Sequence, residues 1–178
     1  MDSTPSDLID RAKAFATKAH AGQVRKYTGT PYIEHPERVA ARVARLPYAT
    51  PEMVAAAWLH DVAEDCTVTF KMLIDYFGPA VAALVWDLTD QYTKEEWPDL
   101  NRAARKRREA ARLACVSREA KAIKLADVAD NLSSLDPADD FAPVFVREKV
   151  ALLAAIGGAD ETLRAEVEEA AKRFEVRS

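Results

Sequence analysis

Apolar residues recur along this chain at helical spacing. Leu8, Ala12, Phe15 and Ala19 fall at i, i+4, i+7 and i+11, and Val39, Val43 and Leu46 make a second stripe; such spacing puts them on one face of a helix. No long stretch alternates strictly between apolar and polar positions, so strands are few or absent. The punctuation agrees: Gly22 closes the first stripe, Pro36 and Pro51 suit first helical turns, and Thr50 and Thr69 suit N-caps. The pattern predicts helices near residues 6–21, 36–46, 51–65, 69–77, 79–91, 98–116, 118–135, 142–157 and 159–175. The fold class is therefore all-α, a compact multi-helix bundle. Residues 22–35 and 91–97 read as its chief loops, and loops on a rigid scaffold are where binding groups gather. There is no internal repeat. The expected organisation is a domain over residues 1–141 with a helical pair over 142–178 packed on it.

Composition narrows the class without naming a function. At 178 residues, 49% hydrophobic and 30% charged, the chain is an ordinary globular one, large enough to build a core without metal or disulfide staples. A bound metal would then point to chemistry. The formal charge of −4 argues against a whole-molecule attraction to nucleic acid or anionic membrane, so an anionic ligand needs a local basic patch. Cys66 and Cys115 lie far apart with no CxxC spacing, which excludes a disulfide framework or zinc knuckle and leaves them expected as small buried hydrophobes. The N-terminal residues lack a signal-peptide pattern, and no run approaches the ~18 apolar residues of a membrane span. The cytosol is the expected compartment. Nothing in the sequence sets the oligomeric state.

The strongest chemical signal is His60-Asp61-Val62-Ala63-Glu64-Asp65, directly after the apolar run Met53 to Leu59. On a continuous helix, residues 60 and 64 are one turn apart and so are 61 and 65, which groups four ionisable side chains on one face. A solvated acidic helix end has the same pattern. Two further positions add to it: His35 within PYIEHP, and Asp127 after the apolar-rich segment Ala122 to Ala126. Two imidazoles and two carboxylates suit a borderline or hard divalent ion such as Mn²⁺, Fe²⁺ or Zn²⁺ better than a closed structural zinc site. His20, near Gly22, fits a structural hydrogen-bonding role.

The histidine of PYIEHP, the HDVAED cluster and the later KLADVADNL segment, in that order, resemble the HD-superfamily metal-dependent phosphohydrolases. The text AHAGQVRKYTGTPYIEHP, AAAWLHDVAEDC, FGPAVAALVWDLT and KAIKLADVADNLSSL is similar, more narrowly, to the hydrolase domain of RelA/SpoT-type alarmone enzymes and to the stand-alone small alarmone hydrolases, metazoan SpoT homologues among them. The resemblance implies an HD-domain helical fold. It makes His35, His60, Asp61 and Asp127 metal ligands, with Mn²⁺ the usual ion, and Glu64 and Asp65 the acidic pair that orients or deprotonates the attacking water. The implied reaction is hydrolysis of the 3′-pyrophosphate of (p)ppGpp to GDP or GTP and pyrophosphate. No paired synthetase domain is expected, so the molecule should degrade alarmone and not make it.

For the substrate, the resemblance points to Arg25 and Lys26 in the loop before His35, where a guanidinium can also stack on a purine, and to Tyr32, which can line the pocket or pack beneath the loop. Asn131 and Ser134 follow Asp127 at i+4 and i+7 and can read base or ribose. Arg102 and Arg105, in a basic run from 102 to 108, and Lys94 before it, are candidates for neutralising phosphates; a solvated helix face explains the run equally well. A nucleic-acid groove is disfavoured because no aromatic residues interleave with these charges. Val128 and Asp130 depart from the family pattern, which commonly has a basic residue and an aromatic or histidine there. Two rival readings are an HD phosphohydrolase acting on another nucleotide, such as a nucleoside monophosphate, a dNTP or NADPH, and a non-catalytic nucleotide or metal sensor.

Overall fold

The computed structural model describes residues 5–174; residue 175 of the last predicted helix, residues 1–4 and residues 176–178 lie outside the described part. The chain falls into two compact units, one ending at Thr89 and the other starting at Asp90. The first holds α1 (Pro5–Ala19), α2 (Glu34–Ala44), α3 (Pro51–Leu59), α4 (Val62–Asp65), α5 (Phe70–Phe77) and α6 (Pro79–Leu88). Its axis is α3, in which every residue from Met53 to Leu59 is buried. A helix apolar on all sides needs neighbours on all sides, and α3 packs against α1, α2 and α6. Of the stripes seen in the sequence, Ala12 of α1 and Val39 and Val43 of α2 are fully buried, while Leu8, Phe15 and Ala19 are half-buried and Ala16, outside the stripe, is also fully buried.

Local signals set the helix ends. The Thr50 hydroxyl accepts from the Met53 amide at 3.2 Å and the Thr69 hydroxyl from the Met72 amide at 3.3 Å, each satisfying an amide that the first helical turn leaves without a partner. Gly78, at φ 84°, ends α5 and starts α6, a left-handed conformation that glycine adopts without penalty. The helix expected over 51–65 is interrupted at its most polar point. His60 Nδ1 lies 2.8 Å from the Ala57 carbonyl, so the ring occupies an acceptor at the end of α3, and the chain restarts as the single turn α4 with the Glu64 and Asp65 amides on the Asp61 carbonyl.

The second unit holds α7 (Arg102–Leu113), α8 (Arg118–Ser134), α9 (Ala142–Ile156) and α10 (Glu161–Lys172). Here α8 is central, packing against α9 and α10, while α7 packs against α9. Asn101, Ser117 and Asp160 cap α7, α8 and α10; the Asn101 cap explains why the helix expected from 98 begins at 102. Cys115 is exposed and Cys66 half-buried, both as free thiols, which corrects the expectation of two buried ones: Cys115 lies just beyond α7, where the Ser117 cap turns the chain into α8. The single β pairing among the described residues is an isolated bridge between Val24 and Pro31 that closes the loop ahead of α2.

Candidate active site

In the first unit, the break between α3 and α4 and the start of α2 bring three ligand-type groups together. His35 sits in the first turn of α2, is 1% exposed, and holds its Nε2 3.2 Å from Nε2 of His60. Asp61 Oδ2 lies 3.0 Å from His60 Nε2 and 3.5 Å from His35 Nε2. The Ala57 carbonyl facing His60 Nδ1 can only accept, so Nδ1 carries the hydrogen and Nε2 presents its lone pair. Two ring nitrogens and a carboxylate oxygen aimed at one point repel one another unless a cation is shared among them. This donor set, with one imidazole oriented through its far nitrogen by a backbone carbonyl, fits a divalent transition metal.

Tyr32 supports the carboxylate from the loop side. Its hydroxyl donates to Asp61 Oδ2 at 2.6 Å, and its ring stacks near His20 at 4.7 Å and edge-on to His35 at 5.9 Å. Burial, then the Asp61 charge and hydrogen bond, push the Tyr32 phenol far above its ordinary range, so it remains a donor. Burial also raises the Asp61 carboxyl, but the neighbouring His60 and His35 outweigh it and hold the group well below the usual carboxylate range. Asp61 is an anion at neutral pH. Asp65, on α4, is shifted upward by burial and by the Asp61 charge; a carboxylate with raised proton affinity suits a base. Glu64 is solvent-exposed, and Asp65 is exposed at its surface with its carboxyl partly buried. His20 is buried, with Nδ1 2.8 Å from the Gln23 amide oxygen, while its Nε2 has no hydrogen-bond partner among the described residues. The Gln23 amide nitrogen donates to the Asp65 carbonyl at 3.1 Å, tying the loop to α4. Arg25 lies over the Tyr32 ring at 5.7 Å, and Lys26 over Tyr27 at 4.7 Å.

In the second unit, α8 carries Asp127, 4% exposed. Asn131 donates to its Oδ1 at 2.6 Å, and Lys124 lies 3.0 Å from its Oδ2. The i+4 partner that the sequence offers as a nucleotide reader thus holds a carboxylate. Ser134 donates back to the Asp130 and Asn131 carbonyls at 3.1 and 3.3 Å, a bond within its own helix. Arg102 forms a two-pronged pair with Glu148 at 2.7 and 2.8 Å and stacks on Phe141. Arg105 donates to the Leu100 carbonyl, and Lys94 is exposed on the loop before α7. That loop is pinned by Glu109, a buried carboxylate accepting from the Gln91 and Tyr92 amides at 3.0 and 3.3 Å. Sequence reading passed over Glu109, Asp90, Lys124 and Lys149. Lys124 begins the KLAD segment and carried a signal; Lys149 lay in a segment read as appended.

Comparison with known proteins bears on both units. The HD-domain family model matches residues 12–163. The guanosine-3′,5′-bis(diphosphate) 3′-pyrophosphohydrolase MESH1 of Danio rerio is 38% identical over 138 residues, 76% of this chain and 73% of that protein. The guanosine-3′,5′-bis(diphosphate) 3′-pyrophosphohydrolase of Aquifex aeolicus is 43% identical over 84 residues, 47% of this chain but 12% of that longer protein. A solved structure of a metazoan ortholog of SpoT, described as hydrolysing ppGpp and acting in starvation responses, superposes with a TM-score of 0.82 at 27% identity, covering 96% of this chain and 97% of that one. With the family model covering most of its length and the MESH1 proteins similar over three quarters of it, this all-α chain belongs to the HD-domain family.

Proposed function

We propose that the protein is a metal-dependent hydrolase that removes the 3′-pyrophosphate of (p)ppGpp, giving GDP or GTP and pyrophosphate, in the cytosol. The observation that carries this reading is the convergence of His35, His60 and Asp61 donor atoms within 3.5 Å in a chain whose relatives are named for that reaction. His35, His60, Asp61 and Asp127 hold one divalent ion, Mn²⁺ in this reading. When bound, such an ion lowers the pKa of its water and polarises a phosphoryl oxygen.

The remaining chemistry falls to the chain. Tyr32 keeps Asp61 oriented, and Asn131 does the same for Asp127. Water adds to the phosphorus attached to the ribose 3′ oxygen, and the P–O3′ bond breaks. One proton passes to Asp65, whose upward shift suits it to take a proton, with Glu64 beside it; the departing 3′ oxygen regains a proton. Arg25, held over Tyr32, offers a planar cation to the purine, and Lys26 a point charge to a phosphate. Lys94, Arg102, Arg105 and Ser134 are the outer candidates, and Arg102 must leave Glu148 to serve.

The test is steady-state turnover by Mn²⁺-loaded protein of ppGpp beside GTP, dNTPs, nucleoside monophosphates and NADPH, with products separated by chromatography. GDP and pyrophosphate from ppGpp is the expected result. Turnover of another nucleotide instead reassigns the pocket, and metal binding with no turnover at all favours a sensor.

A further inference from the structure

The single turn α4 carries Asp65 and cannot hold its own place. Four residues are too few to be stable as an isolated helix, and Val62 alone among them is buried. Its closing carbonyls also lie where a helix offers no amide to meet them. The Gln23 side chain meets one: its amide nitrogen donates to the Asp65 carbonyl at 3.1 Å and lies 3.7 Å from Cys66 Sγ. The Cys66 thiol in turn donates to the Ala19 carbonyl at 3.3 Å, so the ends of α1 and α4 are clipped together around one glutamine.

A glutamine amide has a donor end and an acceptor end of nearly equal size, so its direction must be set from outside. His20 sets it. The residue is 2% exposed, and its Nδ1 lies 2.8 Å from Gln23 Oε1. An amide oxygen only accepts, so Nδ1 carries the hydrogen and the amide nitrogen is turned to the Asp65 carbonyl. That tautomer leaves Nε2 as a bare lone pair, buried with no hydrogen-bond partner among the described residues. An apolar ring would fill the same space without that cost, so what the imidazole adds is the Nδ1 donor. The same ring stacks 4.7 Å from Tyr32, whose amide donates to the Gln23 carbonyl at 2.9 Å.

We propose that His20 and Gln23 are positioning residues for hydrolysis: His20 fixes the direction of the Gln23 amide, and Gln23 holds the α4 turn so that the Asp65 carboxylate stays within reach of the attacking water. This rests on the (p)ppGpp hydrolase reading, in which Asp65 takes the proton. Misplacing a reacting group by about 1 Å costs on the order of 100-fold in rate. A tie to the backbone of the turn that bears the base therefore governs kcat and leaves metal and nucleotide contacts in place.

The test uses the full chain loaded with Mn²⁺, as wild type, Gln23→Glu, His20→Asn and His20→Phe, with circular dichroism and metal content confirming intact folds. Gln23→Glu keeps the size and the acceptor for His20 and removes the donor to Asp65. It is expected to lower kcat on ppGpp about 10- to 100-fold, with KM and Mn²⁺ affinity within a few fold of wild type. Hydrogen exchange should quicken at the Glu64 and Asp65 amides, which close the turn on the Asp61 carbonyl. His20→Asn, whose amide nitrogen can replace Nδ1 as donor, should keep kcat within a few fold, whereas His20→Phe should fall as Gln23→Glu does. Wild-type kcat in Gln23→Glu overturns the proposal, as does a His20→Asn variant as impaired as His20→Phe. An equal loss of Mn²⁺ affinity and kcat overturns it too, since the tie would then serve the metal and not the base. Turnover of ppGpp by the wild type is scored separately. Without it the hydrolase reading fails, and exchange at Glu64 and Asp65 alone decides: faster exchange in Gln23→Glu keeps the clip and removes its catalytic role, and unchanged exchange removes both.

Discussion

Tyr32 donates to the same Asp61 oxygen, across 2.6 Å, that faces His60 Nε2 at 3.0 Å and His35 Nε2 at 3.5 Å. One carboxylate oxygen is thereby fixed between a phenol and two imidazoles. The phenol comes from the loop before α2, so this oxygen joins that loop to the α3–α4 break, beside the Gln23 bond to the Asp65 carbonyl.

Tyr32→Phe should therefore weaken the metal without removing a ligand. Losing a partner that orients a ligating group typically costs 10- to 100-fold in metal affinity or activity. Titration of Mn²⁺ into the metal-free variant is expected to show a loss in that range, with the fold retained because the ring stays. Unchanged metal affinity would remove Tyr32 from the support of Asp61 and leave it a pocket-lining side chain.

Asn131 receives a different prediction from the structure than from the sequence. Its amide is on Asp127 Oδ1 at 2.6 Å, so Asn131→Ala should lower metal affinity about 10- to 100-fold, together with kcat. His60→Ala or Asp127→Ala should abolish metal and activity outright. If Asn131→Ala bound metal as tightly as wild type and raised only KM, the residue would be a nucleotide contact and its bond to Asp127 incidental.

What was legible in the sequence follows from how local the responsible forces are. Capping by Thr50 and Thr69 involves residues three apart, and the stripes of α1 and α2 repeat within a few turns, so pattern alone locates them. The HDVAED cluster was legible as a motif but not as a broken helix, because the competing acceptor is filled by the His60 ring itself. Arg102 and Glu148 are 46 residues apart, and they meet only through the packing of α7 on α9. Periodicity says which face of a helix is polar, not which polar face it will meet.

Glu109 should prove a structural carboxylate. It is 4% exposed, accepts from the Gln91 and Tyr92 amides, and pairs with Arg112 through Nε at 2.9 Å. Glu109→Ala removes the acceptor of two amides and the carboxylate that a half-buried guanidinium pairs with. Removing one member of a buried pair costs on the order of 3 kcal/mol, which for a chain of this size is a fall of roughly 6–12 °C in Tm. Hydrogen exchange should accelerate at Gln91 and Tyr92 in particular. A variant with wild-type Tm and protection at those amides would mean that the loop is held by Trp97 on the Gln91 carbonyl instead.

Lys149 carries a prediction about stability. Its folded-state pKa is depressed from 10.5 to about 8 by burial and by Lys124. Unfolded chains keep that proton up to about 10.5, so between about pH 8 and 10.5 the unfolded state binds more protons and stability rises with pH. Below about pH 8 the cost of holding the ammonium in place is fully present. Lys149→Met removes that cost, and its Tm at pH 7 should exceed the wild type's by about 2–4 °C, the change expected for roughly 1 kcal/mol in a protein of this length. The gap should close as pH rises from 8 toward 10.5, because the wild-type lysine is then neutral in the fold. A Met variant less stable than wild type at pH 7, with no trend across that window, would mean that the ammonium is satisfied within the fold.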